Sequence, residues 1–247
     1  MESLRHLILI FLLSLFTQTA FAQYQSGKVV YKVIPPKSVM ELKDTTNIKN
    51  IYIKRAAVIA YNRLKTHAPN MQLVTEFNTK NALAKMPSMM GVGNHSELHS
   101  AAIRSGFHRK YYTVIEESFQ IHEFEIAGRE WTVRYDRDIS SWEITNETKE
   151  IHGYTCYKAI TPIKINGEEI DENLEAWFTP EIPFRYGPME IYGLPGLILE
   201  VRQRNFIYYA TEIELYKKDS NIKKPKRKPI LHTEYHAEMK KMRDAFR

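Results

Sequence analysis

The chain has 247 residues, 43% of them hydrophobic and 12% aromatic, with 35 Lys or Arg against 29 Asp or Glu and one cysteine. That length suffices for a single domain with a well-buried core, and a lone cysteine excludes any intramolecular disulfide. The excess of positive charge is confined to residues 217–247, which hold eleven Lys or Arg and four Asp or Glu; the near-neutral remainder argues against a nucleic-acid partner.

The first 22 residues read as an export signal. Arg5 precedes an apolar run from Leu7 to Phe16, too short to span a bilayer, and Ala20-Phe21-Ala22 forms an A-x-A cleavage site. The mature chain is then expected to begin at Gln23. No cysteine follows the site, so no lipid anchor is expected there, and the product should be a soluble periplasmic or secreted protein.

Strand signals dominate the rest. Lys28–Ile34 is a first strand ended by Pro35-Pro36, and Ile48, Ile51, Ala56, Ile59 and Leu64 recur at near-helical spacing, predicting a helix within residues 47–66. Met71–Phe77 alternates as the next strand. Residues 78–106 break the β rhythm, with a short helical candidate at Ser96–Arg104. From Tyr111 the pattern is a meander: Phe119–Ile126 turns at Ala127-Gly128 into Trp131–Tyr135, and further strands are expected at Trp142–Thr145, Tyr154–Pro162 and Ile170–Thr179, the last two joined at Asn166-Gly167. Leu197–Arg202 and Phe206–Tyr216 make a final hairpin, and residues 232–246 suit a short helix. The expected fold is α+β and β-dominated: an antiparallel meander forming a curved sheet or half-barrel, packed on one helix from the N-terminal half. The expected organisation is a signal over 1–22, one domain over 23–216 and a basic tail over 217–247.

Gly193-Leu194-Pro195-Gly196-Leu197-Ile198 reads first as a turn entering a strand. Pro195 presets φ for the first central position of a type II turn, and Gly196 is expected to supply a positive φ at the second. The same six residues match the name-giving motif of the GLPGLI family. Trp142–Lys149, Ile151–Ala159 and Trp177–Pro183 with Gly187-Pro188 resemble its neighbouring blocks, in order and at similar spacing over residues 142–201. His152, Arg185-Tyr186 and Met189–Tyr192 depart from the pattern. The resemblance implies an exported bacterial protein and brings no activity with it.

Chemistry-bearing residues are sparse. His95-Ser96-Glu97-Leu98-His99 and His232-Thr233-Glu234-Tyr235-His236 each place two histidines four apart, able to share one helix face and clamp a metal. Met86, Met89 and Met90 precede the first pair, and Met239 and Met242 follow the second. Such a set suits copper, while histidine with carboxylate suits zinc. Neither pair is the His-Glu-x-x-His of zinc proteases, because the glutamate stands one place too late. Cys156 reads as a small buried residue or a reactive thiol. Glu200 lies within an apolar strand, and points to solvent, pairs with Arg202 on the same face, or titrates high. Glu181 stands between two prolines. Tyr154, Trp177 and Phe178 could line a ligand cup or simply fill the core.

These features favour a non-enzymatic periplasmic binding or carrier protein for an apolar or peptide-like ligand, with no cofactor. The alternatives are a protein handling copper or zinc through His95, His99, His232 and His236, and an accessory of an outer-membrane transport complex. The tail run Lys223–Pro229 would suit an outer-membrane protein or an anionic envelope surface, or would be a solvated extension.

Overall fold

The computed structural model describes residues 24–37, 51–87, 95–126, 128–136, 142–165, 168–203 and 206–245. The expected signal over 1–22, Met89, Met90 and the Asn166-Gly167 turn lie outside these residues.

Twelve strands join one open, curved sheet: β1 (Ser26–Ile34), β2 (Leu73–Asn78), β3 (Asn81–Lys85), β4 (Lys110–Val114), β5 (Phe119–Ile126), β6 (Arg129–Asp136), β7 (Glu143–Ile151), β8 (Tyr154–Ile165), β9 (Glu168–Thr179), β10 (Leu197–Gln203), β11 (Phe206–Tyr216) and β12 (Ile230–Leu231). Three helices accompany them, α1 (Ile51–His67), α2 (His95–Ser105) and α3 (His232–Ala245), with a 3-10 turn at Ala68–Asn70. The spatial order is β12-β6-β5-β4-β3-β2-β1-β11-β10-β9-β8-β7. Neighbours are antiparallel except β12, which pairs two residues in parallel with β6. This is the β-dominated α+β curved sheet expected from the alternating pattern.

Two meanders meet where β1 pairs with β11, so the first and last long strands occupy the middle of the sheet. Segment 78–106 is less irregular than its sequence suggests, because β3 runs through it. Asn-Ala-Leu-Ala-Lys has weak β propensity. What fixes it is local: Asn78 Oδ1 accepts the N–H of Lys80 at 2.9 Å and of Asn81 at 2.8 Å, closing the β2–β3 turn and leaving β4 to complete the ladder. The β7–β8 turn, His152-Gly153, has positive φ at both residues, as a two-residue hairpin requires.

One face of the sheet carries the core. Val29, Tyr31, Val33, Leu73, Phe77, Ala84, Phe178 and Tyr208 are buried there against Tyr61 and Leu64 of α1, Leu98, Ala101 and Ala102 of α2, and the segment 182–196. That segment folds back on itself. Leu197 N–H donates to Ile182 O at 2.9 Å, Ile198 N–H to Tyr186 O at 2.9 Å, and Phe184 and Tyr186 lie against the Phe77 ring at centroid distances of 4.8 and 5.8 Å.

Its turn differs from the expected one. Gly196 N–H donates to Leu194 O at 2.8 Å, a three-residue turn centred on Pro195, and the positive φ falls at Gly193, 104°. Gly196 is needed for another reason: a Cβ there would fall on the Thr179 carbonyl. The Gly-Leu-Pro-Gly-Leu-Ile stretch is therefore a packing element, with Leu194, Leu197 and Ile198 all buried.

The basic tail is built into the fold. Ser26 Oγ donates to Lys218 O at 2.6 Å and Asn78 Nδ2 to Ser220 O at 2.9 Å, while Ile222 is buried. The strap then reaches β12 and α3, whose Tyr235 packs edge-on against Phe124 and Trp131 at 5.5 and 5.0 Å.

Candidate binding cleft

Where β3 and β5 end and β4 and β6 begin, the strap passes over the strand ends and encloses a cleft of about 760 Å³. Leu83, Met86, Phe124 and Trp131 give it an apolar floor, and Lys85, Lys110, Lys223, Lys224, Lys226 and Arg227 supply cations. Glu123, Glu125 and Glu130 are its acids. Part of this charge is internally matched: Arg227 pairs with Glu130, and Lys110 Nζ stands 3.8 Å from Glu123. Lys223, Lys224 and Lys226 are exposed and form no ion pair among the described residues. The cleft therefore presents uncompensated positive charge above aromatic carbon, a combination suited to a ligand with both carboxylates and apolar groups.

Its wall is rigid. Arg129 lies 3.9 Å over the Trp131 ring and donates to Glu238 of α3 at 2.8 Å, while Arg109 lies 4.4 Å over the Phe124 ring. His108 Nε2 accepts from Arg109 Nε at 3.2 Å, which puts the ring proton on Nδ1, and that atom has no partner among the described residues. Burial, with the Arg109 charge beside it, lowers His108 to about 4. The ring is therefore neutral at ordinary pH. The cleft's cations were visible in the sequence only as the run Lys223–Pro229; Lys85 and Lys110, distant in the chain, carried no local signal.

Tyr154, Trp177 and Phe178 are not brought together around a common space. Adjacent strand residues face opposite ways. Phe178 lies in the core, 6.2 Å from the Tyr157 ring, and Tyr154 packs half-buried at the β7–β8 hairpin. Trp177 lies on the other face beneath a charged lattice. Lys149 Nζ is 4.2 Å above its ring and pairs with Glu200 at 2.8 Å; Glu200 also accepts from Arg202 at 2.9 Å; Glu175 accepts the indole N–H at 2.9 Å and pairs with Lys158 at 3.2 Å. Burial alone would raise the Glu175 carboxyl, but the bonds from Trp177 and Lys158 hold it below the usual range. Glu200 thus makes the ion pair with Arg202 expected from its strand position, and Lys149 joins it.

The two histidine pairs sit on different helices. His95 opens α2, and His99, exposed, lines a shallow groove of about 410 Å³ between α1 and α2. His232 and His236 begin α3 with ring centroids 6.2 Å apart, and His232 stacks on Tyr135 at 5.8 Å. Among the described residues no three His, Cys, Asp or Glu side chains are grouped to hold a metal. Cys156 is fully buried, and desolvation pushes its thiol up to about 11, so thiolate is scarce at neutral pH. Glu181 Oε1 accepts the Thr155 N–H at 2.9 Å and fastens the turn after β9 to β8. No helix among the described residues is long and apolar enough to cross a membrane.

No curated protein matches the chain. Among solved structures, PNGF-II in the P21 space group superposes with a TM-score of 0.51 at 13% identity, over 86% of this chain and 32% of that one. PNGF-II in the C2 space group gives 0.48 at the same identity and coverage. At such identity the likeness is one of fold, and the chain spans about a third of the length of PNGF-II. A family model described as the N-glycanase peptide, N-terminal domain, matches residues 133–235, from the middle of β6 to Tyr235 of α3, and it is to that domain that this stretch of the chain is similar.

Proposed function

We propose that the chain is an exported binding module that holds a peptide-like ligand, bearing carboxylates and apolar side chains, in the cleft beneath the basic strap. The observation that carries this reading is the placement of Lys223, Lys224 and Lys226, without carboxylate partners among the described residues, above the Phe124 and Trp131 floor. Export is supported by the leader-like segment 1–22.

The test is fluorescence anisotropy with short labelled peptides, one set rich in Asp, Glu and aromatic residues and one with the acids replaced by their amides. The acidic set should bind, more weakly as salt rises, and the K223E/K224E/K226E variant should lose at least roughly tenfold in affinity. Equal binding of both sets, or no loss in the variant, would refute the assignment.

A further inference from the structure

We infer that the outward face of α1 is a docking surface for an anionic lipid bilayer, independent of the cleft. α1 buries only Ala57, Tyr61 and Leu64 in the core. Its opposite side leaves large apolar residues in solvent: Ile51 is 54% exposed, Ile59 53% and Val58 38%, and Ile103 of the neighbouring α2 is 49% exposed. Ile51, Val58 and Ile59 recur within one face of a 3.6-residue period, and Ile103 of α2 faces Ala60 across the groove between the two helices. Two water-facing helices have no use for four large apolar side chains, three on α1 and one on α2, on their exposed sides.

Charge decides the occupant. α1 contains no acidic residue; Lys54 and Lys65 flank the apolar stripe, Arg55 lies within it, and Arg104 stands on α2. None of these four is ion-paired among the described residues. Glu97, the acid of α2, is already engaged by Arg63 at 3.6 Å and His67 at 3.7 Å. A second copy docking here through the same face would set these cations against themselves. An anionic surface reverses the sign of that term: the isoleucines enter the headgroup boundary while lysine and arginine remain at phosphate level.

The test is co-sedimentation of the purified chain with vesicles of phosphatidylcholine alone and of phosphatidylcholine mixed with phosphatidylglycerol. The chain should sediment with the anionic vesicles and not with the neutral ones. Two variants address the two components: I59D/I103D removes the insertion, and K54E/K65E reverses the charge. Each should weaken binding at least roughly tenfold. All four positions are solvent-facing, and an unchanged circular-dichroism melt verifies that the variants fold. The cleft variant K223E/K224E/K226E should sediment as the parent does. The inference is overturned if the parent ignores anionic vesicles or if the α1 variants bind as well as the parent. It is equally overturned if loss in the cleft variant shows the strap to be the contact, or if sedimentation velocity shows an unlipidated dimer that I59D/I103D dissolves.

Discussion

At residue scale, several side chains do work that their sequence context disguised. Gly196 looked like a left-handed turn residue, but the turn is made by Pro195 and the glycine is there for closeness to Thr179. Gly196→Ala should therefore cost about 3 kcal/mol, read as a lowered urea midpoint at unchanged slope, because the obstruction is backbone and cannot swing aside. A merely conformational role in the left-handed region would instead tolerate Asn there, so Gly196→Asn should be at least as damaging as Gly196→Ala. His108 gives a second prediction. Its folded pKa is about 4, below its ordinary 6.5, so between those values the unfolded chain takes up a proton that the folded chain refuses. The His108 contribution is intact above pH 6.5 and is lost as pH falls toward 4. Allowing for partial solvent screening, the loss is about 1–2 kcal/mol. Chemical denaturation across that window should show a shallower decline in His108→Gln than in the parent.

At element scale, legibility follows locality. The β5–β6 hairpin was readable because it alternates apolar and polar residues across a short turn, and β10–β11 because an apolar run returns across one, so that in each the pattern and the pairing lie within one window. β3 and β12 were not: the first is held by an asparagine turn and two neighbours, the second by two residues aligned with Val133 and Arg134. The tail read as charge alone, since its anchors are backbone carbonyls of Lys218 and Ser220 that composition cannot reveal. The short helix expected there does form, and its attachment is compact. Tyr235, nearly fully buried, is held by Phe124 and Trp131 and sits among Val133, Met239 and Met242. Tyr235→Ala should remove about 3 kcal/mol of packing and release α3 before the sheet opens. Hydrogen exchange would then accelerate over residues 232–245 while β1 and β11 stay protected; uniform acceleration would mean that α3 is part of the global core.

At the scale of the whole molecule, the unforeseeable fact is that the first and last long strands meet in the sheet's middle. A reader of the sequence finds two meanders, residues 73–136 and 143–216, each plausible alone. What welds them is β1, which pairs with β2 on one side and with β11 on the other, and Tyr31, whose hydroxyl donates to Ile198 O at 2.6 Å across the core. No periodicity encodes a contact between positions so far apart, which is why the shape of the sheet was legible and its centre was not. The consequence is cooperativity. Trp131 reports on the β5–β6 end, and Trp142 and Trp177 on the β7–β9 end. If β1 makes one unit of both, fluorescence of a Trp131→Phe variant and of a Trp142→Phe/Trp177→Phe variant should each unfold at the same urea concentration as that variant's far-ultraviolet dichroism. Val29→Asp, at a fully buried site in β1, should destroy the transition at both ends together. Survival of either end's transition in that variant would show that the two meanders fold separately and that the central strand merely joins them.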